Sequence, residues 1–145
     1  MLKKQIIESG TNRPDNIRIV INTDGGARGN PGNAGVGVFI ADAKGKPIKK
    51  VAKTIGVATN NFAEYEAVIT ALETLKKIYS KKTGEMKFEF RMDSQLVQRQ
   101  LIGEYRVKDK KLLPLFLKVQ KLIDGFEKVS FQHSSREDKF MIMAD

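Results

Sequence analysis

The sequence predicts a mixed α/β domain in which five strands form one sheet with flanking helices. Three short strand patterns come first, separated by glycine-rich and lysine-rich turns, which indicates an antiparallel meander. Helical patterns then alternate with two further strands, and this order requires crossover connections and parallel pairing. At 145 residues the chain is long enough for one core and too short for two ordinary domains.

The meander is predicted from period-two alternation of apolar residues. Isoleucine occupies every second position from Ile17 to Ile21, and Asp24 is expected to end that strand. The glycines at positions 25, 26, 29 and 32 predict a turn after it. The three predicted strands cover residues 17–24, 35–41 and 48–55.

A long helix is predicted after Thr59, Asn60 and Asn61, whose side chains suit a helix N-terminus. One face of this helix is apolar and is expected to pack on the sheet, and its members are Tyr65, Val68, Ile69, Leu72 and Leu75. The opposite face is expected to meet solvent, and its members are Glu66, Thr70, Glu73 and Lys77.

The second half of the chain predicts two more strands and two more helices. A strand with alternating Met and Phe is predicted over residues 86–92 and is closed by Asp93. Ser94 then caps a short helix that reaches about Leu101. A further helix is predicted over residues 109–123 and a fifth strand over residues 129–133.

Charge and composition limit the kinds of partner and compartment. The chain has 26 Lys and Arg and 17 Asp and Glu, so its net charge is +9. A basic surplus of this size suits a nucleic-acid partner, or it serves only to keep the protein in solution. The absence of cysteine excludes disulfides and thiolate zinc sites and fits a reducing cytoplasm. Residues 1–16 predict a loose leader rather than a signal peptide, and no apolar run is long enough for a membrane span. We therefore expect a cytoplasmic protein.

Three acids are the candidate metal ligands. Asp24 and Asp93 each follow an apolar strand pattern, and Glu64 falls on the inward line of the long helix. If the two strands are neighbours, these carboxylates meet and repel one another unless divalent cations neutralise them, and oxygen ligands suit Mg²⁺ or Mn²⁺. Taken singly, Asp24 could be a turn residue, and Glu64 and Asp93 could be acids favoured by a helix dipole.

Three motifs in this order closely resemble the type 1 ribonuclease H family. They are TDGGARGNPG at residues 23–32, TNNFAEYEA at residues 59–67 and DSQ at residues 93–95. The resemblance covers residues 17–136 and implies a five-stranded sheet in the order 3-2-1-4-5. It also implies two Mg²⁺ ions, replaceable by Mn²⁺, on Asp24, Glu64 and Asp93. The implied reaction is hydrolysis of the RNA strand of an RNA/DNA hybrid to 5′-phosphate and 3′-hydroxyl ends.

The same resemblance implies contacts with the hybrid substrate. The 2′-hydroxyl contacts fall to Gly25, Gly26, Asn60, Asn61 and Gln95. Asn30 and Thr59 match positions that grip a DNA-strand phosphate, and His133 matches a residue that assists proton transfer or product release. The alternatives are that Asn60 and Asn61 only cap the helix and that His133 is a surface histidine without a task. The basic run Lys108, Lys110 and Lys111 could guide substrate phosphates, or it could be only the solvent-exposed start of a helix.

The C-terminal motif departs from the family. The family's fourth acid usually follows the histidine more closely than Asp145 follows His133, and the expected asparagine between them is missing. Asp145 is therefore the expected fourth metal ligand at an irregular spacing, on a final helix that we expect to be cut short by the end of the sequence. This departure leaves open a catalytically weak nucleic-acid-binding domain on the same fold. In either case we expect a monomer that binds an RNA/DNA hybrid and no membrane.

Overall fold

The structure is a computed structural model that describes residues 17–134. Five strands, three α-helices and one 3₁₀ helix make up this part of the chain. They are β1 (Arg18–Arg28), β2 (Gly32–Asp42), β3 (Pro47–Ala58), α1 (Asn60–Tyr79), the 3₁₀ helix (Ser80–Glu85), β4 (Lys87–Met92), α2 (Gln95–Leu101), α3 (Leu113–Ile123) and β5 (Lys128–His133). Their order confirms the predicted succession, and the 3₁₀ helix is an addition to it.

The strands form one sheet in the order β3-β2-β1-β4-β5, which confirms the predicted order. β1 pairs antiparallel with β2, and β2 pairs antiparallel with β3. β4 runs parallel to both β1 and β5. The parallel pairing of β1 and β4 brings the carboxyl ends of two central strands to one edge of the sheet, where α/β sheets place their ligand sites.

One large apolar core lies between the sheet and the helices. α1 supplies the residues predicted for its inner face, and Tyr65, Val68, Leu72 and Leu75 are all fully buried. Four phenylalanines fill the region under β4 and β5, with edge-to-face and tilted ring contacts. They are Phe88, Phe90, Phe126 and Phe131. This core packs α1 against β1 and so places the first turns of α1 beside the strand.

The structure departs from the sequence prediction at the end of β1, at Thr70 and at the start of α3. β1 continues through Gly25 and Gly26 to Arg28, so Asp24 lies within the strand and does not end it. Thr70 is buried rather than exposed, because α1 packs on both the sheet and α3. α3 begins at Leu113, since residues 109–112 form a turn in which the Asp109 carboxylate accepts a hydrogen bond from the Lys111 amide.

Within residues 17–134, no helix is both long enough and apolar enough to cross a lipid bilayer. The predicted leader, residues 1–16, and the predicted final helix with Asp145 lie outside the described residues.

Candidate metal centre and nucleic-acid contacts

Asp24, Glu64 and Asp93 converge at the edge of the sheet. One carboxylate oxygen from each lies within 4.8 Å of the other two. Glu64 is 7% exposed, and the two aspartates are half-buried. Three different elements supply the acids, namely β1, α1 and the residue that follows β4, so the cluster depends on the tertiary fold and confirms the predicted convergence.

Gly25 explains how Glu64 comes so close to β1. A Cβ atom at Gly25 would lie 2.2 Å from the carbonyl oxygen of Ala63 and 2.5 Å from the amide nitrogen of Glu64. Only glycine allows this approach of the strand to the first turn of α1. Gly25 predicted a turn in the sequence, but its role in the fold is to let β1 and α1 pack closely. This packing places Glu64 beside Asp24.

The three oxygens fit a hard divalent cation. Mg²⁺ and Mn²⁺ prefer carboxylate oxygens, and a cation between three such groups offsets their mutual repulsion. Glu64 is the most buried of the three, and an ionised carboxylate removed from water needs a compensating charge. Asp145, the expected fourth ligand, lies outside the described residues.

A partly buried ion-pair group precedes Asp93 along β4 and includes Arg18 of β1. Glu89 accepts two hydrogen bonds from Arg91, at 2.8 Å and 2.6 Å, and one from Arg18 at 2.9 Å. Burial acts to raise the pKa of Glu89, but the hydrogen bonds and charges of the two arginines outweigh it and hold the pKa below its usual value. Arg91, two residues before Asp93, is therefore paired with Glu89. Sequence reasoning did not single out this ion-pair group, although the alternation of Glu89 and Arg91 along β4 was an available signal.

The start of α1 is tied to the glycine-rich end of β1 by side chains. The Asn60 amide donates to Oδ1 of Asn30 at 2.9 Å, and the Ala27 amide donates to Oδ1 of Asn60 at 2.8 Å. Thr59 caps the helix, since its hydroxyl accepts from the Phe62 amide. Because Oδ1 of Asn60 is held by Ala27, the group that this exposed side chain presents to solvent is its NH₂ donor.

α2 begins two residues after Asp93, and β5 ends beside it. Ser94 caps α2 as predicted, and Gln95 is exposed on the first turn of that helix. Nε2 of His133, the last residue of β5, lies 3.2 Å from the backbone oxygen of Asp93. His133 therefore lies beside Asp93, and Gln95 follows Asp93 by two residues in the chain.

Two glutamines that sequence reasoning did not single out fix α2 in place. The Tyr65 hydroxyl donates to Oε1 of Gln100 at 2.6 Å, and Nε2 of Gln98 donates to the Phe131 carbonyl at 2.9 Å. Burial raises the pKa of Tyr65 well above its usual value, so this hydroxyl remains a donor at ordinary pH. α2 is thus attached to α1 on one side and to β5 on the other.

Sequence comparison finds a family described as "Reverse transcriptase-like" over residues 22–142. A ribonuclease HI of Halobacterium salinarum is 40% identical over 113 residues, which cover 78% of this chain and 54% of that protein. A bifunctional protein of Mycobacterium tuberculosis is 37% identical over 117 residues, which cover 80% of this chain and 31% of that protein. The chain therefore spans about a third to a half of the curated relatives that it matches.

Solved structures share both the fold and the sequence. The crystal structure of LC11-RNase H1 in complex with an RNA/DNA hybrid is 45% identical, with a TM-score of 0.79 and coverage of 83% of this chain and 87% of that one. RNase H1 from Halobacterium salinarum is 36% identical, with a TM-score of 0.78 and coverage of 88% and 92%.

Proposed function

Because this chain belongs to the ribonuclease H1 family, we propose that it hydrolyses the RNA strand of RNA/DNA hybrids in a metal-dependent reaction. The observation that carries the proposal is the convergence of Asp24, Glu64 and Asp93 within 4.8 Å. A relative that is 45% identical was crystallised with such a hybrid, which supports the choice of substrate.

The acids of the cluster would hold two Mg²⁺ ions, with Mn²⁺ as a substitute. Bound there, such ions supply an activated water and neutralise charge on the scissile phosphate and on the leaving 3′-oxygen. The protein's own part is to hold three carboxylates in register, from two parallel strands and one helix. No protein nucleophile is needed, and the expected products carry 5′-phosphate and 3′-hydroxyl ends.

Recognition of the RNA strand would fall to the rim of polar groups around the cluster. The NH₂ group of Asn60 is directed away from its bond with Ala27 and suits the oxygen of a 2′-hydroxyl. We assign the same task to Asn61, Gln95 and the backbone of Gly25 and Gly26.

The DNA strand and the proton transfers would use other residues of the site. Asn30 and Thr59 are exposed beside Asn60 and are assigned to a DNA-strand phosphate, in addition to their bonds within the fold. His133, beside Asp93, is assigned to proton transfer or product release. Asp145 is assigned as the fourth metal ligand.

A single cleavage assay tests the proposal. The purified chain is incubated with labelled RNA/DNA hybrid, duplex RNA, duplex DNA and single strands, each with Mg²⁺, Mn²⁺ or EDTA. We expect cleavage of the hybrid RNA with either metal and none with EDTA. Equal product formation in EDTA, or tight hybrid binding without cleavage in either metal, would overturn it.

A further inference from the structure

An open groove leads away from the carboxylate cluster along the face of the sheet that carries Asp24. It has a volume of about 530 Å³, and Gly26, Arg28, Gly35 and Thr54 are among the residues that line it. Because side chains alternate along a strand, Asp24, Gly26 and Arg28 share one face of β1. The register places Gly35 of β2 beside Gly26, and Thr54 of β3 beside Gly35. The groove therefore begins one position beyond Asp24 on this face and crosses three strands.

The sheet beside Asp24, where the groove begins, is bare backbone. Gly26 follows Asp24 on this face, and Gly37 of β2 pairs with Asp24. Neither glycine has a positive φ. A Cβ atom at Gly26 would come no closer than 3.9 Å to Oδ1 of Asn60, and one at Gly37 no closer than 4.0 Å to the carbonyl oxygen of Asp24. Glycine weakens the interior of a strand and often marks a place where a ligand approaches the backbone. Since no group within residues 17–134 makes such an approach here, the bare surface suits a ligand that lies against the strands.

Arg28 gives the groove its charge. It is the one charged residue among those that line the groove, and the others are Gly, Ala, Asn and Thr. The Arg28 side chain is exposed, and no carboxylate of residues 17–134 forms an ion pair with it. A guanidinium in this setting suits a phosphate, which it can hold through two parallel hydrogen bonds. The Thr54 hydroxyl and the Asn33 amide can add neutral hydrogen bonds.

We propose that this groove binds the sugar–phosphate backbone of the RNA strand beyond the scissile phosphate, and that Arg28 donates to one of its phosphates. The inference rests on the proposed function and deepens it. Asp24 and Arg28 are four residues apart on an extended strand, about 13 Å between Cα atoms, which spans roughly two to four nucleotides of one strand.

The position of the groove selects the RNA strand. The groove lies on the face of Asp24, a member of the cluster at which the RNA strand would be cut. Asn30 and Thr59, which are assigned to a DNA-strand phosphate, are not among the residues that line it. A nucleic-acid strand that leaves the cluster along this face therefore meets Gly26 first and Arg28 next.

Three substitutions separate this contact from the general charge of the chain. Arg28→Gln removes the charge, and Thr54→Tyr fills the groove from an exposed edge-strand position at which an aromatic ring is tolerated. Lys81→Gln is the matched control, because Lys81 is also exposed but lies in the 3₁₀ helix after the far end of α1, about 30 Å from the start of α1. Fluorescence anisotropy measures the affinity for a labelled hybrid in EDTA at several salt concentrations.

We expect Arg28→Gln to bind the hybrid about ten-fold more weakly, as for the loss of charge-assisted hydrogen bonds to one phosphate. The slope of log affinity against log salt should also become shallower by about 0.9, the contribution of one neutralised phosphate. Thr54→Tyr should weaken binding by a similar factor, because the ring keeps the strand out of the groove. Lys81→Gln should remain within two-fold of the parent chain.

Hybrids that carry one uncharged methylphosphonate linkage identify the strand. With Mg²⁺, the parent chain should cut about ten-fold less often at the bond whose cleavage places an uncharged RNA-strand linkage against Arg28. Arg28→Gln should show no such loss. With the same linkage in the DNA strand, the cleavage patterns of the two proteins should not differ.

The inference is overturned if Arg28→Gln binds the hybrid within two-fold of the parent chain, or if the loss that depends on Arg28 follows the DNA strand. A normal affinity of Thr54→Tyr beside a weakened Arg28→Gln would place the contact outside the groove and would overturn it equally. Failure of the proposed function is distinguishable, because the parent chain would then cleave no hybrid in Mg²⁺, while the affinities in EDTA would still decide whether Arg28 contacts the hybrid.

Discussion

The carboxylate cluster and the asparagine rim, formed by Asn30 and Asn60 at the start of α1, are built in opposite ways. The cluster joins Asp24, Glu64 and Asp93 from three elements with their oxygens directed at a common point. In the rim, the exposed side chains of Asn30 and Asn60 are already bonded to backbone amides of the same fold. In the proposed function, the cluster serves catalysis, while the rim serves both structure and recognition. Substitutions in the cluster should therefore lower turnover, whereas substitutions in the rim should change KM and stability.

The largest effect is expected from the cluster. Asp24→Asn, Glu64→Gln and Asp93→Asn each weaken a direct metal ligand, so turnover should fall by more than about a hundred-fold, beyond the effect of losing a ligand's hydrogen-bond partner. Hybrid affinity should remain near that of the parent chain, because no phosphate contact is removed. Steady-state cleavage and a filter-binding assay measure the two quantities.

Glu66→Gln is the matched control for Glu64→Gln. Glu66 lies two residues further along α1 and is not a member of the cluster, so its substitution should leave turnover nearly unchanged. Equal damage from both changes would show that the inward face of α1 has been wrongly assigned.

A smaller effect is expected from salt, which acts on the whole basic surface rather than on the cluster. A chain of net charge +9 should release counterions on binding a hybrid. If about two phosphates are neutralised, affinity should fall about ten-fold between 50 and 200 mM salt. Fluorescence anisotropy at four salt concentrations measures the slope. An affinity that does not change over this range would remove charge as a cause of binding.

The rim should show a still smaller effect in which binding and stability can be separated. Asn60→Asp keeps the oxygen that accepts from the Ala27 amide but loses the NH₂ donor, whereas Asn60→Ala loses both. Both variants should raise KM for the hybrid about 3–10-fold, as for one or two lost hydrogen bonds. Only Asn60→Ala should lower Tm by a few degrees. A normal KM in both variants would leave Asn60 with a structural role alone.

The contrast between the regions also explains what the sequence could predict. Periodicity and end signals placed α2, β5 and the inner face of α1, because each depends on residues close together in the chain. The acids were found for a similar reason, since Asp24 and Asp93 lie beside strong strand patterns. The bonds of Asn60 to Asn30 and Ala27 join residues about thirty positions apart, and no local pattern reports them.

Gly25 and Thr70 show two kinds of error in local reasoning. Glycine is favoured both in turns and where two backbones approach closely, so Gly25 suggested a turn although it lies within β1 against Ala63. Thr70 is polar and lies opposite the apolar face of α1, yet it is buried because α1 also contacts α3. Which faces of a helix are covered is a property of the whole fold.

The smallest effect is expected beneath the cluster, at Glu89, where stability should change while binding does not. The pKa of Glu89 is held below its usual value by Arg91 and Arg18, against the opposing effect of burial. The stabilisation from its ionised form is therefore fully present above the unfolded-state pKa, near 4.3, and is lost as pH falls through the lower folded-state value.

Glu89→Gln should cost about 1–2 kcal/mol in unfolding free energy at pH 7, because hydrogen bonds to a charged group become neutral ones. The variant should then lose less stability than the parent chain between pH 6 and pH 3. Urea unfolding at several pH values measures the difference, and KM for the hybrid serves as the control, since Glu89 is not among the residues assigned to substrate. Parallel stability curves for the two proteins across this pH range would mean that the arginine pairs do not stabilise the ionised carboxylate.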